Sequence, residues 1–541
     1  MLPVDAKETF VLRLLITFAV LNALLLGLEI PRHAGLGPNW IALEALVLAG
    51  LFTWIPQGRW KGYLAALAGA LLALLTLLAL ADALARLSLS RSVNLYLDYP
   101  LARSVYHLVS GSVSVPGAIL AGIALFLGLA ALALLLRWLL AGLGRQRRPV
   151  PRAVAAAFIL VGAVGIVSFH AGAALPNLPR AITPGMTIVL DQIRFGRIAH
   201  VQRGEFQSLL ARDAETQAAV RLDGLAGVDV IVGFIESYGV SALFDERYAP
   251  VVGARLDDLE RRVADAGLHM VSGTLNAPMF GGQSWLAHAS VLSGLWIRNQ
   301  MHYEFLLDTE RETLVQDFHR SGHRTVAVMP AITLPWPQGR WFGYDEIFEA
   351  GDMGYAGPPF NWVTMPDQFT WWFFENSVRR NGDRPVFAKV ALISSHAPWV
   401  PILPILEDWE AIGDGAIFRQ WEGEGEAPES LWRNHDRVRE HFALSVAHAL
   451  EVAGRYAATF TDARTLLILL GDHQPAQIIT GPDPNPGVPV HVISGDPALL
   501  EPFRERGFVA GAWPVSQNTE TGMDRFREWL HDGYRVVPAS P

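Results

Sequence analysis

Leu466-Leu467-Ile468-Leu469-Leu470-Gly471-Asp472-His473-Gln474-Pro475 is the stretch whose reading decides the fold. Five apolar residues are too few for periodicity alone to separate strand from helix. The glycine after them favours a buried strand that stops at a turn. Asp472 and His473 follow at once, a hard oxygen ligand beside an imidazole. The carboxyl end of a buried strand in an open α/β sheet is where ligands bind. Taken alone, the pair reads equally well as a loop aspartate capping a helix beside a solvated histidine.

Outward from this strand, the chain from Val228 onward alternates apolar strand, loop and helix. Strands are expected at Val228–Ile235, Thr325–Met329, Val386–Ile393 and Val488–Ile493. Helices are expected at Arg255–Ala266, Glu310–Ser321, Leu431–Ala458 and Glu520–Leu530. That alternation predicts an α/β domain with a mostly parallel sheet and helices on both faces. Val271–Gln283 reads as turn-rich, and the acidic, glycine-rich Ile402–Pro428 as a functional loop or insertion.

The first third of the chain has a different character. Of 541 residues, 51% are hydrophobic and only 18% charged, with the apolar excess before about residue 170. Apolar runs at Phe10–Ile30, Trp40–Ile55, Tyr63–Leu87, Val113–Leu140 and Ala153–Phe169 predict an all-α bundle of five transmembrane helices, the second being the shortest. Arg145, Arg147, Arg148 and Arg152 mark a cytoplasmic loop, and Arg59 and Lys61 agree with it. Five crossings then leave everything after Gly172 outside the cytoplasm. An anchor fits better than a transporter, whose intramembrane charges would have to be Glu44 and Asp82. The expected organisation is a transmembrane anchor over residues 1–172, a connector over 173–227 with a juxtamembrane helix at Phe195–Ala218, and a catalytic domain over 228–541. A net charge of −9 argues against a nucleic-acid partner. The absence of cysteine excludes disulfides, thiolate ligands and a thiol nucleophile.

Three strands of the α/β domain end in functional residue types: Glu236, His396, and Asp472 with His473. In a parallel sheet the carboxyl ends share one edge, so these groups converge. Each alone has a dull explanation, but all of them at successive strand ends form a pattern. Carboxylates with an imidazole suit a divalent ion such as Zn²⁺ or Mn²⁺. Met279–Gly294 (MFGGQSWLAHASVLSG) is expected to add a fourth ligand and a nucleophile. Ser284 stands where a helix begins, behind Gly281 and Gly282, and the free N–H groups there suit an anionic phosphoryl group. Ser284 alone reads as a helix cap. Beside a metal, its hydroxyl ionises more readily and becomes a competent nucleophile.

The order Glu-Ser after the first strand, Gly-x-Ser at a helix start, Ser-His-x-Pro and then Asp-His resembles the alkaline phosphatase/sulfatase superfamily. Within it, the chain is similar to the membrane-anchored phosphoglycerol and phosphoethanolamine transferases, lipoteichoic acid synthase among them. The resemblance implies an alkaline-phosphatase-like domain with one divalent ion, Zn or Mn, held by Glu236, Ser284, Asp472 and His473. Ser284 takes the place where members more often carry threonine. His396 matches the histidine that contacts the substrate phosphate or leaving group, and Arg340 is similar to a headgroup-binding arginine upstream of a Gly-Tyr-Asp turn, at a different spacing. His288, Trp336 and His491 are further candidates for the pocket lining. The implied partners are a phospholipid donor and a glycan or lipid acceptor. The implied place is a bacterial inner (cytoplasmic) membrane, with the catalytic domain periplasmic or extracellular.

Sulfatases of the superfamily resemble one another in a Cys/Ser-x-Pro-x-Arg motif. Here the matching stretch is Ser284-Trp285-Leu286-Ala287-His288, which argues against formylglycine chemistry. Two other readings stand beside transfer. One is hydrolysis by a phosphodiesterase, phosphatase or sulfatase-like enzyme. The other is a catalytically silent envelope scaffold or sensor, which would need none of the four ligands.

Overall fold

A computed structural model describes residues 4–30, 39–89, 91–101, 105–106, 115–144, 149–172, 181–213 and 220–535. The chain divides into two compact units, one of residues 1–87 and 91–202, the other of 88–90 and 203–541.

In the first unit, helices α1 (Val4–Gly27), α2 (Leu43–Trp54), α3 (Arg59–Leu89), α4 (Val115–Gly142) and α5 (Pro149–His170) follow the five apolar runs. Four contain segments long and apolar enough to cross a membrane: Phe10–Gly27, Arg59–Leu89, Val115–Gly142 and Arg152–His170. The expectation of five such helices is corrected at α2. Its 12 residues rise only about 18 Å, against a hydrocarbon core of about 30 Å. Instead, α2 packs closely on α5. A Cβ added at Gly162 would lie 2.6 Å from Val47 Cγ2, and one at Gly50 would lie 2.8 Å from the Ala155 carbonyl oxygen. Small residues at such crossings let helix backbones approach. Asp82 and Glu44 both have structural partners. Asp82 accepts from Val93 N–H and pairs with Arg86, both at 2.9 Å. Glu44 accepts from Met186 N–H at 3.0 Å. Arg145, Arg147 and Arg148, from which orientation is read, lie outside the described residues. So do most of the connector's proline-rich start and the end of its helix, whose described part belongs to α6 (Pro184–Asp213).

The second unit is built on one sheet. Its strands are β1 (Asp229–Ile235), β2 (His269–Asn276), β3 (Arg324–Met329), β4 (Glu346–Glu349), β5 (Val386–Leu392), β6 (Thr465–Gly471), β7 (Gly487–Ser494) and β8 (Val509–Ala510). They lie in the order β8-β2-β7-β6-β1-β5-β3-β4. The sheet is mixed rather than mostly parallel. The run β6-β1-β5-β3-β4 is parallel, whereas β6–β7, β7–β2 and β2–β8 are antiparallel. The difference arises in Val271–Gln283, expected to be turns. Its start is strand β2, polar in composition yet mostly buried, paired residue by residue with β7.

Alternate residues of the central strands feed two cores, as the two-residue period of a doubly covered strand requires. On one face Ile231, Ile235, Leu467 and Leu469 pack against α7 (Ala249–Asp265) and the later helix His435–Phe460. On the other, Val232, Phe234, Ile468 and Leu470 pack against α8 (Ser284–Ser293), α9 (Gln300–Leu307), α10 (Leu314–Arg320) and the terminal helix Phe526–Tyr534. The Ile402–Pro428 stretch is not an open loop. Ile412 and Phe418 are buried in the first core, and Trp409 and Trp421 pack against it.

The terminal helix is tied down by charge. Arg527 donates to both carboxylate oxygens of fully buried Asp317, at 2.7 and 2.9 Å, and His531 Nε2 lies 2.7 Å away. Burial works to raise the Asp317 carboxyl, but hydrogen bonds from His531 and Arg527 overcome it and hold the group below its ordinary value. Its contribution to stability is therefore full above about pH 4 and lost as pH falls through the depressed folded value. Asp317→Asn leaves a buried guanidinium uncompensated and should cost about 3–5 kcal/mol. Denaturant unfolding of the solubilised full chain at pH 7 measures it. A cost near zero would show that the pair does not secure the helix.

Candidate active site and metal centre

The parallel strands deliver three of the expected groups to one edge. β1 runs into Glu236 and then Ser237, whose φ of 58° turns the chain sharply. β6 stops at Gly471, where an added Cβ would collide with the Tyr238 carbonyl, and leads into Asp472 and His473. β5 exits through Ser394 and Ser395 to His396. Ser284 comes from outside the strand set, at the first residue of α8.

Ser284 Oγ lies 3.1 Å from Glu236 Oε2 and 3.2 Å from His473 Nε2. His473 Nε2 is in turn 3.3 Å from Glu236 Oε1 and 3.6 Å from Asp472 Oδ2. One donor atom each from Glu236, Asp472 and His473 falls within 4.8 Å of the others. The sequence left open whether Ser284 caps α8. The N-cap is Gln283, held at φ 67°, and Ser284 Oγ is spent on Glu236 and His473 instead. A non-glycine residue held at positive φ stores strain, which persists where surrounding structure enforces it.

Neighbouring bonds orient the donors. Asp472 Oδ1 accepts from the backbone N–H of Ser237 at 2.8 Å and of His473 at 2.7 Å, leaving Oδ2 toward the imidazole. His473 Nδ1 donates to the Gln474 carbonyl at 2.9 Å, which turns Nε2 toward the cluster. Ser237 Oγ donates to Glu236 Oε1 at 3.1 Å, and Ser395 Oγ donates to the Glu236 carbonyl at 2.6 Å.

The electrostatics are those of a site short of positive charge. Burial and the neighbouring Glu236 carboxylate push Asp472 up to about 7. Burial lowers His473, yet the Asp472 and Glu236 carboxylates outweigh it and carry the imidazole up to about 9. Burial likewise raises Glu236, but the hydrogen bond and charge of His473 hold it well below the carboxylate range. Two carboxylates, an imidazole whose far nitrogen is held by the Gln474 carbonyl and an alcohol oxygen form a donor set suited to one divalent ion.

The remaining candidates are distributed as follows. His396 is partly buried, with Nδ1 2.5 Å from the Ala397 carbonyl, and its charge is felt at Glu236. His288 lies one turn along α8 from Ser284, buried, with its ring 4.1 Å from that of Phe234. Trp336 packs over the Met329 and Ala391 side chains. Arg340 is exposed on the short helix Pro337–Trp341, without an ion-pair partner among the described residues. His491 is not brought to the site. It is fully buried within the sheet, with Nε2 2.9 Å from Tyr238 Oη and Nδ1 2.8 Å from Ser272 Oγ, so both nitrogens serve structure.

Two residues escaped the sequence reading. Asp367, fully buried, accepts from Ile393 N–H at 2.6 Å and Ser394 N–H at 2.9 Å, fixing the turn that carries His396. Burial pushes its carboxyl up to about 7. An aspartate opening a helix is so common that it carries no signal. Lys389 is 2% exposed within strand β5. A lone lysine inside the apolar run VFAKVALI was a legible signal.

No family model matches the chain, and no curated protein matches it. Solved structures do resemble it. The phosphoethanolamine transferase EptA from Neisseria meningitidis is 11% identical over 91% of this chain and 87% of its own, with a TM-score of 0.42. The lipoteichoic acid synthase LtaP from Listeria monocytogenes is 10% identical over 59% of this chain and 74% of its own, at 0.37. The phosphoglycerol transferase GacH from Streptococcus pyogenes, solved with sn-glycerol-1-phosphate, is 13% identical over 62% and 81%, at 0.36. Phosphonate monoester hydrolases also match. Transferases of the class that the motif order resembles are thus among the similar structures. Scores below 0.5 carry no argument about this chain's activity, which rests on its side chains.

A divalent ion must displace the proton that the carboxylates hold on His473. Zn²⁺ or Mn²⁺ affinity should therefore rise with pH, by up to about tenfold per unit, until about pH 9. Calorimetric titration at pH 6.5 and 8.5 checks this. Affinity independent of pH would remove His473 from the ligand set.

Proposed function

We propose that the protein is a membrane-anchored phosphotransferase that moves a phospholipid-derived phosphoglycerol or phosphoethanolamine group to an envelope glycan or lipid through a phospho-Ser284 intermediate. The observation that carries this reading is the position of Ser284 Oγ, 3.1 Å from Glu236 and 3.2 Å from His473 at a helix start. A structural serine there would bond its own helix. A serine wedged between acidic and imidazole groups has the surroundings of an activated nucleophile.

Glu236, Ser284, Asp472 and His473 would hold one Zn or Mn ion, which when bound lowers the pKa of the serine hydroxyl and offsets charge on the phosphoryl oxygens. In the first displacement, the Ser284 Oγ–P bond forms as the P–O bond to the lipid alcohol breaks. The serine proton moves toward Glu236 Oε2, to which the hydroxyl already donates. His396 supplies a proton to the departing alkoxide. Its Nδ1 is engaged by the Ala397 carbonyl, which leaves Nε2 for this transfer. In the second displacement an acceptor hydroxyl attacks phosphorus, His396 takes its proton, and Ser284 Oγ leaves as the P–O bond breaks, recovering its proton from Glu236 Oε2. The α8 N-terminus and its free N–H groups favour the phosphoryl charge throughout.

In this reading residues 1–172 anchor the enzyme, 173–227 connect, and 228–541 work on the extracytoplasmic side of a bacterial inner membrane. Anchoring keeps the site close to a lipid donor. Removing the nucleophile tests it. Ser284→Ala should lower transfer of label from headgroup-labelled phospholipid at least about a thousandfold, with the protein still folded. Undiminished transfer would end the proposal. Label released to water with and without candidate acceptors would favour a hydrolase instead.

A further inference from the structure

Lys389 is the only lysine of the second unit, and among the described residues it has neither an ion-pair nor a hydrogen-bond partner. A buried lysine without a counter-charge is costly, and the cost is met either by loss of its proton or by an occupant that accepts from it. Among the described residues, compensation comes from the Trp336 ring, whose centroid lies 5.3 Å from Nζ. Burial pulls the amine down to about 7.

The register shows where this group sits. Lys389 pairs with Val232 of β1, and Ala391, two residues on and on the same strand face, pairs with Phe234. Phe234 carries the His288 ring against it, and Ala391 packs with Trp336 and Tyr344. Glu236 lies two residues beyond Phe234, about 7 Å along the strand. His288 Nε2 and Tyr344 Oη are both buried and without a hydrogen-bond partner. The charges of Lys389, Glu236 and His473 all reach His288. Three unanswered polar groups therefore share the sheet face under Ser284, and the charged one is positive.

We infer that Lys389, His288 and Tyr344 form the headgroup subsite and select an uncharged, hydroxyl-bearing headgroup of the glycerol type over an ammonium-bearing one of the ethanolamine type. Glycerol hydroxyls accept from the lysine and both accept from and donate to the other two groups. An ethanolamine ammonium offers only donors, so it cannot accept from Lys389, and whatever charge the lysine keeps opposes it. Trp336 supplies an apolar wall for the carbon skeleton. This inference rests on the lipid-headgroup reading above and narrows its donor.

The test uses the full-length protein in phosphatidylcholine vesicles carrying equal fractions of phosphatidylglycerol or phosphatidylethanolamine, with diacylglycerol release as readout. The wild type should release it from the glycerol lipid at least about tenfold faster. Lys389→Met should bring that ratio toward one, whatever its overall rate. Competition supplies a second measurement on the wild type alone: glycerol phosphate should inhibit at lower concentration than phosphoethanolamine. Equal or reversed preference in the wild type would overturn the inference and leave headgroup transfer standing. So would an unchanged ratio in a Lys389→Met protein of normal melting temperature. Turnover of a soluble nitrophenyl phosphodiester with no diacylglycerol from either lipid would overturn the lipid reading itself, and this inference with it.

Discussion

Glu236 and Asp472 bring two carboxylates to one mostly buried pocket with a single imidazole between them. Like charges at that separation repel strongly where water is excluded, so the arrangement stands only with compensation. Backbone N–H groups of Ser237 and His473 supply part of it at Asp472, and His473 supplies part at Glu236. The rest of the α/β unit can be read as the means of holding these groups in place. Parallel strands β1 and β6 set the two carboxylates side by side, and two buried cores lock those strands from both faces. A shortfall of positive charge built into a rigid frame is the physical basis for a cation site, and Ser284 stands within it.

Much of this was legible in the sequence because strand ends are legible. An apolar run followed by glycine reads as a buried strand that stops at a turn, and the Asp-His after it, ambiguous alone, gains meaning because the run ending in Glu236 repeats the pattern. Convergence followed from the parallel order of β6, β1 and β5, which alternating strand and helix already implies. The antiparallel part of the sheet was hidden. Strand β2 contains Ser272, Gly273, Thr274 and Asn276, whose composition signals turns; it is a strand because β7 pairs with it. Tertiary pairing overrode local propensity there. Apolar length likewise suggested a fifth spanning helix at Trp40–Ile55, but the helical part is too short to cross on its own.

Histidines divided by partner rather than by type. His473 and His491 are equally buried in strands or just beyond them, yet His473 turns Nε2 toward carboxylates, while His491 spends both nitrogens on Tyr238 and Ser272. Position separates the two: His473 stands just past the end of β6, whereas His491 lies inside β7, away from the edge where the ligands gather. Lys389 is the opposite case. A charged residue inside an apolar strand conflicts with its surroundings, and such conflicts concentrate at working parts of a protein. Asp367 carried no signal at all, since its role is to hold a turn made by residues well beyond it in sequence.

Transfer in two displacements requires that Ser284 become covalently phosphorylated. Intact-protein and peptide mass spectrometry of the full chain, isolated from its membrane and quenched during turnover, measures that directly. A mass increment on Ser284 equal to a phosphate ester of the donor headgroup is expected, acid-stable and absent once acceptor is supplied in excess. An unmodified Ser284 in a preparation that is turning over lipid, or an increment on any other residue, would contradict it.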